Sequence, residues 1–278
     1  MKEIYFKSLN QTLNLNELIK YLNIEKDTIA YLGGSAIEGK FFPKSKGMGN
    51  RLSDIDLYII LPNEKFLKKY SSYTSISEKN DFFSLNGIPF DITYYKKEEI
   101  DLLISSINSL EIIPNKRIFD IFEQKNGWNS YKVNEFINRL FHSIPLQNND
   151  NYKTLLKDID LNKYCKIYSQ FLTTILDNNI IDIEGNLESN QFDTALFCTR
   201  EVYMVFLKII IYKNLDTVDR DKWISLKINN LNFVNKKPVI EMYYKLFYDI
   251  KKDNIKSSIL ECISFMNDYL LHEDNSII

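Results

Sequence analysis

The chain has 278 residues, 45% of them hydrophobic and 14% aromatic, which is enough apolar material for a full core and too much for a disordered polymer. A formal charge of −2 and a pI near 5.9 supply no general attraction for nucleic acid, which asks for a basic face. Cys165, Cys198 and Cys262 stand far apart without a zinc-type pairing and His142 and His272 are each isolated, so the thiols read as reduced and histidine-based catalysis is disfavoured.

The first residues, Met1-Lys2-Glu3-Ile4-Tyr5-Phe6-Lys7, contain no apolar run of signal-peptide length. The longest apolar stretch, Val202 to Tyr212, is broken by Lys208 and falls short of the roughly twenty residues that a membrane span requires, so a soluble, cytoplasmic protein is expected. Asn14-Leu15-Asn16-Glu17 reads as a capped helix start with Leu15, Leu18, Ile19 and Leu22 on one face, and Thr28 to Leu32 as a strand. That strand runs into Gly33-Gly34-Ser35, a turn able to present open backbone N–H groups to an anion.

A glycine- and lysine-rich segment, Gly39 to Arg51, follows, and then Ser53-Asp54-Ile55-Asp56-Leu57-Tyr58-Ile59-Ile60. Side chains alternate on a strand, so Asp54 and Asp56 share a face about 7 Å apart while Ile55, Leu57 and Ile59 face the other way. Paired carboxylates repel unless a hard cation neutralises them, and Mg²⁺ prefers one or two carboxylates together with phosphate oxygens. Pro62-Asn63-Glu64 opens a short helix to Tyr70. Asn86-Gly87, with positive φ favoured at both positions, joins strands Phe82–Leu85 and Ile88–Tyr95 in a hairpin whose return strand carries Asp91.

Lys96 to Leu110 places Ile100, Leu103, Ile104, Ile107 and Leu110 at helical spacing. The polar segment Glu123 to Ser130 marks the expected domain boundary, giving a turn-rich α/β domain over 1–130 and a helical one over 131–278. In the latter, helices are predicted at Val133–Phe141, Tyr152–Leu176, Gln191–Tyr212, Val239–Lys251 and Ile255–Leu271, with a strand as the alternative for the β-branched end of the third.

The order glycine-serine turn, Asp-x-Asp strand and third Asp after a hairpin resembles the signature of the DNA polymerase β-like nucleotidyltransferase superfamily. The Gly-Ser-Ala turn and the domain order are similar to those of the streptomycin/spectinomycin adenylyltransferases. The departure is about eighteen residues between Ser35 and Asp54, a longer interval than the family uses. The resemblance implies an α+β fold, a catalytic core with a mixed sheet and helices followed by an all-helical domain. It implies Mg²⁺, in a two-metal site, held by Asp54, Asp56 and Asp91, with Gly34 and Ser35 steadying the triphosphate of an NTP, ATP by default. Asp91 is either a second-metal ligand or the general base. Arg200 and Lys222 are the implied triphosphate cations of the helical half; the alternatives are an internal salt bridge for Arg200 and a plain surface site for Lys222.

Asp193 reads either as an acceptor contact or as a helix N-terminal acid. Lys40, Lys44, Lys46 and Arg51 read as phosphate contacts or as solvated charges, and Phe41 and Phe42 as a stacking platform or as loop anchors. The expected reaction transfers a nucleoside monophosphate to a hydroxyl of a small molecule, an aminoglycoside being the leading single guess, with release of pyrophosphate. The rivals are an enzyme that AMPylates protein, an oligonucleotide synthase, and a nucleotide-binding regulatory module without catalysis.

Overall fold

A computed structural model describes residues 3–70, 78–113, 116–121 and 128–274; the boundary segment 123–127 and the His272 side chain lie outside the described residues. The chain divides into two compact units, Met1–Ile112 with Phe122–Tyr164, and Ile113–Ile121 with Cys165–Ile278. The first therefore runs past residue 130.

The first unit opens with an antiparallel pair, β1 (Glu3–Phe6) and β2 (Gln11–Asn14), that the sequence reading did not anticipate. Helix α1 (Leu15–Tyr21) follows at once, and the Asn14 side chain accepts a hydrogen bond from Glu17 N at 3.1 Å, the expected cap. Then come β3 (Ile29–Gly33), α2 (Gly34–Phe41), β4 (Ile55–Leu61), α3 (Asn63–Lys69), β5 (Glu78–Leu85), β6 (Ile88–Lys96), α4 (Lys97–Ser109), α5 (Ser130–Phe141), β7 (Ile144–Gln147) and α6 (Asn149–Asp158). The hairpin turn has Asn86 at φ +52° and Gly87 at +80°, as its Asn-Gly pair requires.

Five strands form one mixed sheet in the order β5-β6-β4-β3-β7, with β4 and β6 parallel and the other neighbours antiparallel. One face carries Ala30, Leu32, Ile55, Leu57, Ile59, Phe90 and Ile92, buried with Leu15 and Leu18 of α1, Ile37 of α2 and Phe66 of α3. The other face carries tyrosines. Tyr31, Tyr58 and Tyr95 stack in succession at 5.1 and 6.2 Å, Tyr95 continues onto Trp128 at 5.9 Å, and Phe136 of α5 meets Tyr95 edge-on at 5.5 Å.

The second unit is helical among its described residues. It comprises most of α7 (Leu161–Glu188), then α8 (Phe192–Lys213), α9 (Ile224–Asn230), α10 (Lys236–Tyr244), a π-helical turn Lys245–Asp249 and α11 (Ile255–Asp274). The expected helix Tyr152–Leu176 is two helices, α6 and α7, because Asp160 caps a new start by accepting from Lys163 N at 2.9 Å. α8 is a helix throughout, so the strand alternative does not hold there. At its end Lys227 and Asp216 form a fully buried ion pair at 3.5 Å, and Lys227 also donates to the Thr217 carbonyl. The expected helix over Val239–Lys251 ends as the π-turn at Asp249. Among the described residues no helix is long and apolar enough to cross a membrane, and the three cysteines are free.

Candidate active site

The site is built where β3, β4 and β6 lie side by side. Asp54 stands just before β4, Asp56 is its second residue, and the parallel register sets Asp56 opposite Asp91 of β6. One carboxylate oxygen from each of Asp54, Asp56 and Asp91 lies within 4.8 Å of the others; the first two residues are half-buried and Asp91 is exposed. The donor set, all hard oxygen, fits a hard divalent cation such as Mg²⁺ in chemistry. The structure thus brings together the three carboxylates that the sequence singled out.

Gly33 is the last residue of β3 and pairs with Asp56 in the ladder. The next residue, Gly34, opens α2 at φ +83°, a conformation that L side chains rarely adopt. A Cβ on Gly34 would stand 1.9 Å from Asp56 Oδ2, so the backbone at the helix start is packed directly on the carboxylate. Ser35, in the first turn of α2, lies 3.4 Å from the Ser53 hydroxyl, next to Asp54 in the chain.

The segment between Ser35 and Asp54 is folded onto the core. α2 takes up its first part, and a 3₁₀ turn, Pro43–Ser45, reverses the chain. A Cβ on Gly39 would lie 2.2 Å from the Met48 carbonyl, and Gly49, at φ +78°, abuts Ala36. Ser45 donates to buried Glu38 at 2.7 Å, Phe42 meets the His142 ring edge-on at 5.2 Å, and Phe41 packs against the core, which is the anchoring role of the two weighed for this pair. Ser53 accepts from Asn50 N at 2.9 Å, which closes the segment just ahead of Asp54. The extra length is thus ordered structure packed against α2.

No protein-family model matches this chain, and no curated protein matches it. Among solved structures it is similar to a nucleotidyltransferase-like protein from Exiguobacterium sibiricum 255-15, at 9% identity and a TM-score of 0.46, over 92% of this chain and 74% of that one.

Sequence reasoning missed one residue here. Arg139, on α5, places Nη1 2.9 Å from Asp56 Oδ2, with its side chain only 6% exposed. The signal was available: Arg139 stands three residues after Phe136 and beside Leu140 on a helix whose Val133, Phe136, Ile137 and Leu140 are buried. A cation among apolar residues requires an anionic partner. Behind this pair the Tyr58 phenol is held far above its ordinary range by burial first and then by the Asp56 charge, with Arg139 acting in the opposite sense.

In the helical unit Arg200 is half-buried; its Nε donates to the Leu246 carbonyl at 3.1 Å and its guanidinium lies 5.8 Å from the Phe247 ring centroid. Lys222 is exposed, with its ammonium 5.0 Å from the Trp223 ring centroid, and Asp193 is exposed in the first turn of α8.

Proposed function

We propose that this protein is a metal-dependent nucleotidyltransferase that moves a nucleoside monophosphate, AMP from ATP as the working donor, to a hydroxyl of a small molecule. The observation that carries the reading is the convergence of Asp54, Asp56 and Asp91 within 4.8 Å, beside a glycine that opens a helix.

Asp54 and Asp56 would hold Mg²⁺, which when bound neutralises phosphate charge and stabilises the departing pyrophosphate. The N–H groups at the start of α2 and the Ser35 hydroxyl would donate hydrogen bonds to phosphate oxygens. Asp91, the exposed member of the three, is the one to accept the proton of an incoming hydroxyl. The acceptor oxygen then forms a bond to the α-phosphorus as the bond to the bridging oxygen of the β-phosphate breaks, and the proton rests on Asp91. On sequence grounds alone, Arg200 and Lys222 remain proposed cations for the triphosphate.

A small acceptor is favoured over nucleic acid because the chain carries a net charge of −2, and nucleic-acid affinity comes largely from many Lys and Arg contacts. The test is a transfer assay with labelled ATP and Mg²⁺ against parallel pools of aminoglycosides, other small alcohols, RNA and proteins. Label on a small alcohol, abolished by Asp54→Asn, supports the reading. Label on RNA or protein alone overturns the small-molecule acceptor, and no pyrophosphate release with any pool overturns the enzyme.

A further inference from the structure

This inference rests on the proposed cation site and concerns the charge that tunes it. Three carboxylates converge there, and the Arg139 guanidinium lies 2.9 Å from one oxygen of Asp56. A guanidinium remains charged at every working pH, so the cluster has one fixed positive charge beside its three carboxylates. Its position is fixed from two sides. The buried apolar residues of α5 hold the helix on the sheet, and a Cβ on Gly33 would come 3.4 Å from the Arg139 carbonyl oxygen, so α5 packs against the glycine turn itself.

We infer that Arg139 is a positioning residue that sets the charge of the acidic cluster, making it a weak site for a bare divalent cation and a stronger one for a cation already complexed with a polyphosphate. A bare divalent cation is drawn by the carboxylates and repelled by the guanidinium, and charges this close in a half-buried site are poorly screened. A cation–nucleoside triphosphate complex bears net negative charge, so the same guanidinium attracts it while it offsets repulsion from the carboxylates. Loss of the charge therefore moves the two affinities in opposite directions. Loss of a residue that only fastened α5 to the sheet would weaken both.

The experiment titrates Mn²⁺ into the full chain, followed by the enhancement of water-proton relaxation that protein-bound Mn²⁺ gives, with and without a nonhydrolysable ATP analogue and against the analogue alone, for wild type, Arg139→Lys and Arg139→Gln. Wild type should take up Mn²⁺ about tenfold more tightly with the analogue present, a coupling of ordinary size. Arg139→Gln should bind bare Mn²⁺ roughly threefold more tightly and the Mn²⁺–analogue complex roughly tenfold more weakly, while Arg139→Lys, which keeps the charge, stays close to wild type in both. Circular dichroism reports whether each variant is folded. A folded Arg139→Gln that weakens both affinities, or neither, overturns the inference. If Arg139→Gln does not fold, the wild-type comparison decides, and equal Mn²⁺ affinity with and without the analogue overturns it. Folded wild type that takes up Mn²⁺ under neither condition overturns the cation site itself.

Discussion

Gly34 and Asp56 are packed so closely that a methyl group on the glycine would overlap the carboxylate, 1.9 Å from its Oδ2. The start of α2 and the acidic strand are therefore one unit, and a side chain at residue 34 must displace the carboxylate or the helix.

Gly34→Ala should accordingly fail twice. The left-handed backbone, at φ +83°, costs about 1–2 kcal/mol for a residue with a Cβ, and the overlap moves Asp56. We expect a lower midpoint in urea together with loss of Mn²⁺ uptake. A variant that loses stability but retains full Mn²⁺ affinity would separate the glycine from the site.

Asp54→Asn and Asp91→Asn should behave in the opposite way. Each removes one of three mutually repelling charges within 4.8 Å, so thermal stability should hold or rise slightly. Nucleotidyl transfer should fall by at least about a hundredfold as charge stabilisation is lost. Asp91→Asn should retain binding of the ATP analogue if Asp91 serves as the base. Collapse of that binding would make it a metal or nucleotide ligand instead.

Lys227 and Asp216 make a different kind of pair, fully buried in the helical unit. Lys227→Ala leaves a carboxylate in an apolar interior and should cost about 3–5 kcal/mol in urea denaturation. Lys227→Met with Asp216→Asn should recover most of that. A double variant as unstable as the single one would show that the loss comes from packing and not from charge.

The tyrosine stack predicts alkaline behaviour. Burial pushes the phenols of Tyr31, Tyr58 and Tyr95 well above their ordinary value. In the unfolded chain they release protons near pH 10, so above that the unfolded state binds fewer protons than the native one, and stability falls as pH rises. Below it their contribution is fully present. Tyrosinate absorbance for these three residues should appear together with loss of helical circular dichroism. Their titration in a still-folded chain would contradict the buried stack.

The parts of this fold that could be read from the sequence were those with a strong local rule. The Asn86-Gly87 turn and the Asn14 cap each depend on a few adjacent residues and stand as read, and the Asp-x-Asp strand does so from Ile55 on, with Asp54 just ahead of it. The β1–β2 pair escaped because its strands are four residues each and its turn, Lys7 to Asn10, holds no glycine; Asn10 supplies the positive φ, at +52°. β7 is an equally short edge strand, whose pairing with β3 is long-range. The break between α6 and α7 was masked because apolar spacing continues through Leu155 and Ile159, while a single Asp160 side chain restarts the helix. Arg139 was missed because its partner lies 83 residues away in the chain, beyond the reach of any local rule.

The chain of rings behind the site has a practical consequence. Trp128 is one of two tryptophans, and Trp223 belongs to the other unit. The Trp128 indole is buried and stacks through Tyr95 to Tyr58, which follows Asp56 by two residues on the same face of β4. In a Trp223→Phe background its emission would report only on the first unit, so arrival of charge at the carboxylates could be watched by native fluorescence, without a label and before any acceptor is known.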